Sequence, residues 1–353
     1  MKKELPIFPL KHWFLGNKRD LPWRETQDPY AIWISEVMLQ QTQVSVVIPY
    51  FLNWMNRFPT ISHLAAASLD EVIKAWEGLG YYSRARHLHQ AALYLVERFN
   101  GCLPDQEEEL NKIKGLGPYT IGAILSFAFH QKKAALDGNV IRVITRYFGL
   151  KEDISKPKTV NELRSITQHL LPDEEPWIIS EALIELGATI CQRKARCIEC
   201  PIKEGCASFK NGTTEGIPFN SKKIKIESIY RFVAVIQQGD HFLVKRGEKG
   251  AIMSDLYEFP YVEVKKGERS ADAWMVQMEN RYALRIEKTY PLQPVSQGFT
   301  RYQAVLYPSL FSCQEMKEVE GLVWLSLTAL KQLAFSSGHR RIFQQVVDLP
   351  LPA

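Results

Sequence analysis

The sequence contains no long hydrophobic run, no internal repeat and no low-complexity tract. No stretch approaches the roughly 18 consecutive apolar residues that a membrane helix requires. The basic start Met1-Lys2-Lys3 is followed by Glu4, Pro6 and Pro9, which interrupt what would be the apolar core of a signal peptide. We therefore expect a cytoplasmic protein without a membrane partner.

Charge of one sign is not in large excess either. Lysine and arginine number 44 against 39 aspartates and glutamates, and the formal net charge of +5 permits a polyanionic partner without requiring one. With 353 residues, of which 46% are apolar and 24% charged, the chain is long enough for two domains that each bury a core. The composition indicates a globular protein of two domains.

Cysteine is scarce, and most of it lies in one short segment. Four of the six cysteines, Cys191, Cys197, Cys200 and Cys206, form the pattern C-x(5)-C-x(2)-C-x(5)-C. In a reducing compartment this density indicates metal ligation rather than disulfides. Zinc sites usually pair two short C-x(2)-C turns across a longer loop, so the single short spacing favours an iron–sulfur cluster and leaves zinc as the alternative.

A two-glycine turn lies in the middle of a region that apolar spacing predicts to be helical up to about residue 210. Gly115-Leu116-Gly117 separates two helical segments, and we expect both glycines to adopt positive φ. The amides at the start of the following helix would then be available to a phosphate. Asp137-Gly138-Asn139 is predicted to begin a third helix. The alternative is an ordinary helical hairpin followed by an aspartate cap.

One acidic residue lies among apolar neighbours. Asp28-Pro29 predicts the start of a helix that carries Ile34-Ser35-Glu36-Val37-Met38. If Glu36 is buried, desolvation raises its pKa and keeps the carboxyl protonated near neutral pH, as a general acid requires. The alternative is an exposed glutamate on an amphipathic helix, which is commoner for a lone glutamate.

Two further segments contain residue types suited to nucleic acid. Gln40-Gln41-Thr42-Gln43 presents polar, uncharged side chains that can hydrogen-bond to base edges or simply form a solvated helix end. The segment 78–86 combines a glycine turn with two tyrosines and two arginines. Aromatic rings can wedge between bases and arginines bind phosphates, whereas a tyrosine pair in the core is the alternative.

Taken together and in order, these segments resemble the helix-hairpin-helix DNA glycosylases. Within that superfamily they are most similar to the enzymes that remove adenine mispaired with 8-oxoguanine, and the resemblance covers nearly the whole chain. The matching segments, besides the four-cysteine loop, are Leu21–Arg24, Ser35–Val44, Gly78–Arg84, Leu136–Val140 and Glu181–Leu183.

The resemblance implies a fold class and domain boundaries. We expect a mostly α N-terminal region, with the helix-hairpin-helix glycosylase fold and an iron–sulfur loop, followed by a C-terminal α+β Nudix-like domain. The expected glycosylase region is 1–212, with a six-helix module at about 29–136 and a cluster module formed by 1–28 and 137–212. A linker at 213–228 and a Nudix-like 8-oxoguanine recognition domain at 229–353 complete the chain.

The resemblance also implies catalytic roles. Glu36 would protonate the departing purine and then help to activate water, whereas Asp137, with its pKa kept low by a helix start, would stabilise the sugar cation or trap it covalently. Asn139 and Tyr119 would hold the geometry. Further implied contacts are Trp23, Arg24, Leu39, Val44 and Glu181 around the flipped adenine, Gln41 and Tyr81 in the duplex, Thr42 and Leu79 at the oxidised guanine, Gly115, Gly117 and Tyr119 at the DNA backbone, and Cys191, Cys197, Cys200 and Cys206 at a 4Fe-4S cluster.

One residue bears on the type of glycosylase. Endonuclease III has a lysine directly after its hairpin, but this chain has Tyr119, which cannot form a Schiff base. We therefore predict base removal without efficient strand cleavage, that is, a monofunctional enzyme. The resemblance further implies that it flips adenine out of double-stranded DNA containing A opposite 8-oxoguanine or G, and we expect a monomer.

Two other functions stay open at this point. An endonuclease III-type glycosylase acting on oxidised pyrimidines is disfavoured by Tyr119 and by the additional C-terminal domain. A non-catalytic iron–sulfur DNA-binding protein would not need both Glu36 and Asp137.

The C-terminal third changes in character. Glycine, proline and lysine across residues 211–227 indicate a linker. Residues 232–236 and 241–244 are predicted to form a β-hairpin, 271–284 a helix and 299–307 a strand.

The chain departs from the family pattern in three places. The first cysteine gap is five residues instead of six, which a shortened surface loop can accommodate, and Pro118 stands where an arginine is frequent. By the same resemblance, 8-oxoguanine is recognised by a loop with a Phe-Ser-His theme. Its counterpart is Phe335-Ser336-Ser337-Gly338-His339, with glycine where serine is expected, and we predict Ser337 and His339 as recognition residues.

Overall fold

The computed structural model describes residues 4–222, 225–248, 250, 253–266 and 271–349. The chain divides into two compact units, Met1–Ala66 with His87–Lys223 and Ala67–Arg86 with Ile224–Ala353. The segment Ala67–Arg86 thus belongs with the C-terminal region, which the predicted boundary at residue 212 did not anticipate. No helix in the described ranges is long and apolar enough to cross a membrane.

The first unit is helical. In the part of the chain that the structure describes, twelve α-helices precede the C-terminal sheet. Of these, α5 lies in the second unit, and α6 spans the division between the units at residues 86 and 87. Their bounds are α1 Ile7–Asn17, α2 Pro29–Leu39, α3 Val44–Arg57, α4 Ile61–Ala66, α5 Leu69–Ala75, α6 Ser83–Phe99, α7 Glu107–Leu110, α8 Pro118–Ala123, α9 Gly138–Phe148, α10 Pro157–Leu170, α11 Pro176–Thr189 and α12 Ala207–Lys210.

Helix α2 begins at Pro29, as the Asp28-Pro29 pair predicts. The Asp28 side chain accepts a 3.0 Å hydrogen bond from the backbone N–H of Tyr30, and proline at the first helical position leaves no amide unsatisfied. Every residue from Tyr30 to Met38 is buried. Because every side of α2 is buried, Glu36 does not lie on a solvent-exposed face of the helix.

Three helices form the core beside the cysteine segment. Leu10 of α1, Val140 and Ile144 of α9, and Leu183 and Leu186 of α11 belong to one buried cluster, against which three of the four segment cysteines pack. Burying each large aliphatic side chain is worth roughly 1.5–3 kcal/mol. The cysteine segment is therefore attached to the helix that begins at the predicted catalytic aspartate.

The two hairpin glycines adopt different conformations. Gly115 has φ +96°, and a Cβ built on it would lie 2.5 Å from Cβ of His87, so only glycine suits this position. Gly117 has φ −90° and ψ 168°, an ordinary extended conformation, and a Cβ there would meet nothing within 4 Å. The expectation of positive φ is right at Gly115 and wrong at Gly117, because the turn needs only one reversal before α8 begins.

The second unit contains a mixed β-sheet. Its elements, besides α5, are β1 Glu227–Gln238, β2 His241–Arg246, β3 Tyr257–Glu258, β4 Tyr261–Val264, α13 Ala271–Tyr282, β5 Ile286–Pro291, β6 Val295–Phe299, β7 Tyr302–Cys313, β8 Val323–Ser326, α14 Leu327–Gln332 and α15 Ser337–Val347. The central path runs β3-β2-β1-β7-β5, while β4 pairs with β1, β6 with β7 and β8 with β2. Strands β1 and β7 are parallel and all other pairs are antiparallel.

The two faces of the sheet follow the alternation of β1. Val233 and Val235 pack into a cluster with Phe343 of α15, whereas Phe232 and Ile236 belong to the opposite cluster with residues of α13. The sheet is thus covered by helices on both faces. The predicted β-hairpin and the helix from Ala271 are confirmed.

The predicted strand at 299–307 is wrong at its start. Thr300 and Arg301 form a turn between β6 and β7, and Thr300 has φ +49°. The apolar residues on each side of this turn made it resemble one continuous strand.

Acidic and basic side chains attach Ala67–Arg86 to the rest of the second unit. Glu77 Oε1 accepts hydrogen bonds from the backbone N–H of Phe335 at 2.8 Å and from Nε of Arg340 at 2.6 Å. Lys74 Nζ contacts Glu77 Oε2 at 2.6 Å and donates to the carbonyl of Leu333 at 3.0 Å. These bonds place the Gly78–Arg84 turn in the same unit as the Phe335–His339 loop.

Candidate active site

A cavity of about 870 Å³ lies in the first unit. Residues of α2, α8, α9 and α11 line it together with the short 3₁₀ turn Pro22–Arg24. The structure brings together at this cavity the following eleven predicted site residues: Trp23, Arg24, Glu36, Leu39, Gln41, Thr42, Val44, Tyr119, Asp137, Asn139 and Glu181.

Glu36 is buried in this cavity, with a relative exposure of 6%. Desolvation raises its pKa to about 7, a hydrogen bond donated by the Tyr119 hydroxyl opposes the rise, and the charge of Asp137 adds to it. The carboxyl therefore carries a proton for much of the time at neutral pH. Burial also raises the pKa of Tyr119 well above its ordinary value, so that phenol stays a donor.

Asp137 is the N-cap of α9. One carboxyl oxygen accepts a 2.7 Å hydrogen bond from the backbone N–H of Val140, and the other accepts one of 2.7 Å from Nδ2 of Asn139. Burial nevertheless raises the pKa of Asp137 above its ordinary value. The expectation that the helix start keeps this pKa low is wrong, because desolvation outweighs the two hydrogen bonds and the nearby Arg142 charge.

Arg142 is a site residue that sequence reasoning missed. Its Nη2 donates to Asn139 Oδ1 at 2.8 Å and to the carbonyl of Gly187 at 2.7 Å, and its Nε donates to the carbonyl of Cys191 at 2.6 Å. Arg142 thus fixes the amide that in turn bonds to Asp137. The available signal was its position one helical turn after Asn139 on α9.

A second group that sequence reasoning missed is a buried ion-pair network. Glu185 has no exposed surface and accepts hydrogen bonds from Nε of Arg19 at 2.7 Å and Nη2 of Arg24 at 2.8 Å. Burial acts to raise the pKa of Glu185, but the two arginines lower it overall. Arg24 also lies 3.7 Å from Glu181, whose pKa is raised chiefly by burial. The network holds the Arg24 side chain at the wall of the cavity.

Two residues predicted to enter the duplex have unusual backbone conformations. Gln41 has φ +58° and Tyr81 has φ +48°, both in the left-handed region that non-glycine residues rarely adopt. Both are exposed, and 45% of Tyr81 is accessible. Such conformations cost roughly 1–3 kcal/mol and concentrate at functional sites.

A second cavity of about 680 Å³ lies in the second unit. It contains three residues predicted to contact the oxidised guanine or the duplex, namely Leu79, Tyr81 and Ser337, and the turn between β6 and β7 forms another part of its wall. His339 is not among its lining residues.

His339 is buried in the core of the second unit. Its side chain has no accessible surface, its Nδ1 accepts a 2.9 Å hydrogen bond from the backbone N–H of Phe259, and burial lowers its pKa to about 3. The ring is therefore neutral and faces the protein. In this arrangement His339 supports the loop instead of lining the cavity as the sequence suggested.

The hairpin glycines line neither cavity. Gly115 and Gly117 precede α8, whose second residue is Tyr119. The Tyr119 side chain lies beside Glu36, to which its hydroxyl donates a hydrogen bond.

The four cysteines of the 191–206 segment are free thiols. Burial is the main cause of the raised pKa values of Cys197 and Cys200. Arg146 Nη1 lies 3.5 Å from Cys191 Sγ. Three of the four cysteines pack against the same buried cluster, and a donor set of four thiols beside a cation has the chemistry of a thiolate-held cluster. Within the described ranges, no three His, Cys, Asp or Glu side chains form a group that could hold a single metal ion.

Comparisons with known proteins agree with these observations. Residues 34–169 match the family model of the HhH-GPD superfamily base excision DNA repair proteins, and residues 231–345 match that of the NUDIX domain. An adenine DNA glycosylase of Buchnera aphidicola is 38% identical over 247 residues, covering 69% of this chain and 70% of that protein. The human adenine DNA glycosylase is 42% identical over 207 residues, covering 56% of this chain but only 38% of the human protein.

A solved structure of a thermostable thymine-DNA glycosylase is 26% identical, with a TM-score of 0.54, and covers 58% of this chain and 95% of its own. The fold and the carboxyl-lined cavity define an enzyme, a base excision DNA glycosylase with the helix-hairpin-helix fold. More closely, the chain belongs to the adenine DNA glycosylase family.

Proposed function

We propose that this protein hydrolyses the N-glycosidic bond of adenine mispaired with 8-oxoguanine or guanine in double-stranded DNA. The observation that carries the proposal is the pairing of Glu36, whose pKa is raised to about 7, with Asp137 in one 870 Å³ cavity. A cavity of this size accommodates a nucleotide turned out of the base stack. An endonuclease III-type glycosylase or a non-catalytic DNA-binding protein is not favoured by any observed contact.

The proposed reaction uses the two carboxyls in sequence. Protonated Glu36 gives its proton to a ring nitrogen of adenine, so the bond from C1′ to the base breaks with its electron pair leaving on a neutral purine. Ionised Asp137 stabilises the resulting sugar cation or bonds to it. Water then adds to C1′, and its proton returns to the Glu36 carboxylate. Asn139 and Tyr119 orient the two acids through the hydrogen bonds described above.

Tyr119 supports base removal without strand cleavage. Schiff-base chemistry needs an amine, and Tyr119 instead presents a phenol bonded to Glu36. The lysines of the described hairpin, Lys112 and Lys114, do not line the cavity, whereas Lys18, which directly follows α1, does.

We also infer that Cys191, Cys197, Cys200 and Cys206 hold a 4Fe-4S cluster. When bound, such a cluster would cross-link the segment that packs against α9 and α11. The visible absorption spectrum and the iron content of the purified protein test this directly. Replacement of Cys200 by serine is expected to lower both, whereas serine at Cys102, an exposed cysteine outside the segment, should leave both unchanged.

The second unit is proposed to receive the base opposite the target adenine. Leu79, Tyr81 and Ser337 meet at its 680 Å³ cavity, whereas Thr42, which was also predicted at the oxidised guanine, lines the cavity of the first unit. The predicted division into a glycosylase region and a Nudix-like recognition domain, and a monomeric state, are part of the same proposal.

Glu36→Gln tests the proposed activity. The amide has nearly the same shape but cannot donate the proton, so we expect adenine release from an A:8-oxoguanine duplex to be abolished and binding of that duplex to be retained. The matched control is Glu162→Gln, because Glu162 is an exposed glutamate of the same unit. Loss of both binding and release would indicate a folding defect, and retained release would refute the role of Glu36.

A further inference from the structure

We propose that Gln297 recognises the base opposite the target adenine by donating a hydrogen bond to O8 of 8-oxoguanine. The inference rests on the proposed function and names a specificity residue for it. Gln297 lies on β6, is only 7% exposed, and lines the 680 Å³ cavity of the second unit.

One end of the Gln297 amide is fixed by the recognition loop. The backbone N–H of Gly338 donates a hydrogen bond to Oε1 of Gln297. An amide nitrogen cannot accept that bond, so Oε1 must be the bonded atom and Nε2 the opposite one. No described residue accepts a hydrogen bond from Nε2, and Nε2 is not one of the fully buried atoms that lack a partner, so it retains accessible surface. Nε2 is therefore a free donor, and we place it at the cavity that Gln297 lines.

The glycine at position 338 is explained by the same contact. A Cβ built on Gly338 would lie 2.5 Å from Oε1 of Gln297 and 2.6 Å from Cδ1 of Leu306. Gly338 stands where serine is expected, so the chain lacks a hydroxyl donor at this point of the loop. Gln297 occupies the space that a side chain at position 338 would need. It also supplies an N–H donor where the hydroxyl of a serine is missing.

Hydrogen-bond chemistry selects the ligand atom. Guanine and 8-oxoguanine share O6, but only 8-oxoguanine has an oxygen at C8, where guanine has a C–H. A donor at the cavity wall that meets O8 forms a hydrogen bond with the oxidised base but faces only a C–H in guanine, which is the way such sites discriminate. Ser337 lines the same cavity and Ser336 is buried beside it, so the donor lies at the predicted recognition loop.

The test compares A:8-oxoguanine with A:G duplexes. Binding is measured with duplexes whose adenosine carries a 2′-fluoro group that resists hydrolysis, and adenine release is measured with ordinary ones. Gln297→Glu keeps an acceptor for the Gly338 N–H but removes the N–H donor. We expect the 8-oxoguanine-to-guanine ratio of affinities to fall by about five- to tenfold, because one hydrogen bond is lost. Gln297→Ala, which adds no charge, checks that the fall does not come from repulsion between the new carboxylate and O8.

A rescue pair separates recognition from support of the loop. Gln297→Ala should lower the ratio. Adding Gly338→Ser together with Leu306→Val, which removes the other atom that a Cβ at position 338 would meet, should restore much of the ratio, because a hydroxyl donor then occupies the vacated space. The matched control is Gln345→Met, since Gln345 also accepts a backbone N–H, that of Gln293 at 2.7 Å, but does not line the cavity. Melting temperatures establish that each variant is folded.

A ratio within twofold of wild type in folded Gln297→Glu and Gln297→Ala variants, or an equal loss on both duplexes, would overturn the inference. Absence of adenine release by the wild type would overturn the proposed function instead, while the binding ratio would still decide the role of Gln297.

Discussion

The hydroxyl of Tyr119 donates a hydrogen bond to the carboxyl of Glu36, linking the first turn of α8 to the buried middle of α2. Burial raises the pKa of Glu36 to about 7, and this bond, which favours the ionised carboxylate, restrains the rise. Tyr119 therefore lowers the pKa of Glu36, the general acid of the proposed reaction.

Tyr119→Phe removes the donor and is predicted to raise the pKa of Glu36. Since the proposed reaction needs protonated Glu36, the rate of adenine release should decline above about pH 7 in the wild type. In the variant that decline should move upward by about one pH unit, which corresponds to roughly 1.4 kcal/mol. Single-turnover rates between pH 5 and 9 measure the shift.

The control for this variant is Tyr94→Phe, since Tyr94 lies in the same unit and does not line the cavity. Superimposable profiles for wild type and Tyr119→Phe would show that Tyr119 does not tune Glu36. A loss of strong strand cleavage in Tyr119→Phe would contradict a monofunctional enzyme.

The buried carboxyl of Glu36 also predicts how stability depends on pH. Its pKa rises from an ordinary 4.5 to about 7 on folding, so between these values the folded state binds more protons than the unfolded state. The free energy of unfolding should therefore fall as pH rises from about 4.5 to 7, by on the order of 3 kcal/mol from this group. Glu36→Gln should flatten that slope and be the more stable protein at pH 8.

Urea unfolding at several pH values, with Glu162→Gln as the exposed control, measures this slope. If the free energy of unfolding depends on pH in the same way in wild type and in Glu36→Gln, then ionising Glu36 does not destabilise the folded protein, which contradicts the prediction.

The predicted site residues that the structure brings together at the first cavity lie in contiguous motifs. Glu36, Asp137 and Tyr119 each carry a local signal, whether an acid among apolar residues, a helix cap or the residue after a turn. The direction of the Asp137 pKa shift was not predictable in this way, because it is the sum of burial and several opposed contacts.

The features that sequence reasoning missed depend on partners distant in the chain. Glu185 meets Arg19 across 166 positions, and His339 is enclosed through Phe259, 80 positions away. No local pattern marks such contacts. The same reason applies to Gln297, whose significance depends on Gly338, 41 positions further along.

The two hairpin glycines give a matched pair of predictions. Gly115→Ala places a methyl group 2.5 Å from His87 at φ +96° and is expected to destabilise the protein by about 1–3 kcal/mol. Gly117→Ala adds a methyl group in open space at φ −90° and should change stability by no more than about 0.5 kcal/mol. Thermal unfolding compares the two, and equal melting temperatures would contradict the assigned backbone conformations.

Glu77 is predicted to hold the Gly78–Arg84 turn in the second unit. Glu77→Ala leaves the N–H of Phe335 and the guanidinium of Arg340 without this acceptor, at a cost of about 1–3 kcal/mol. Amide hydrogen exchange should then become faster at residues 67–86 and 333–340, while the helices of the first unit keep their protection. Glu315→Ala is the control, because Glu315 forms only an exposed pair with Lys317 at 3.5 Å.

Since Leu79 and Tyr81 line the cavity of the second unit, loosening the segment 67–86 should also weaken discrimination between 8-oxoguanine and guanine. Unchanged exchange at 67–86 would show that apolar packing, and not Glu77, holds the segment.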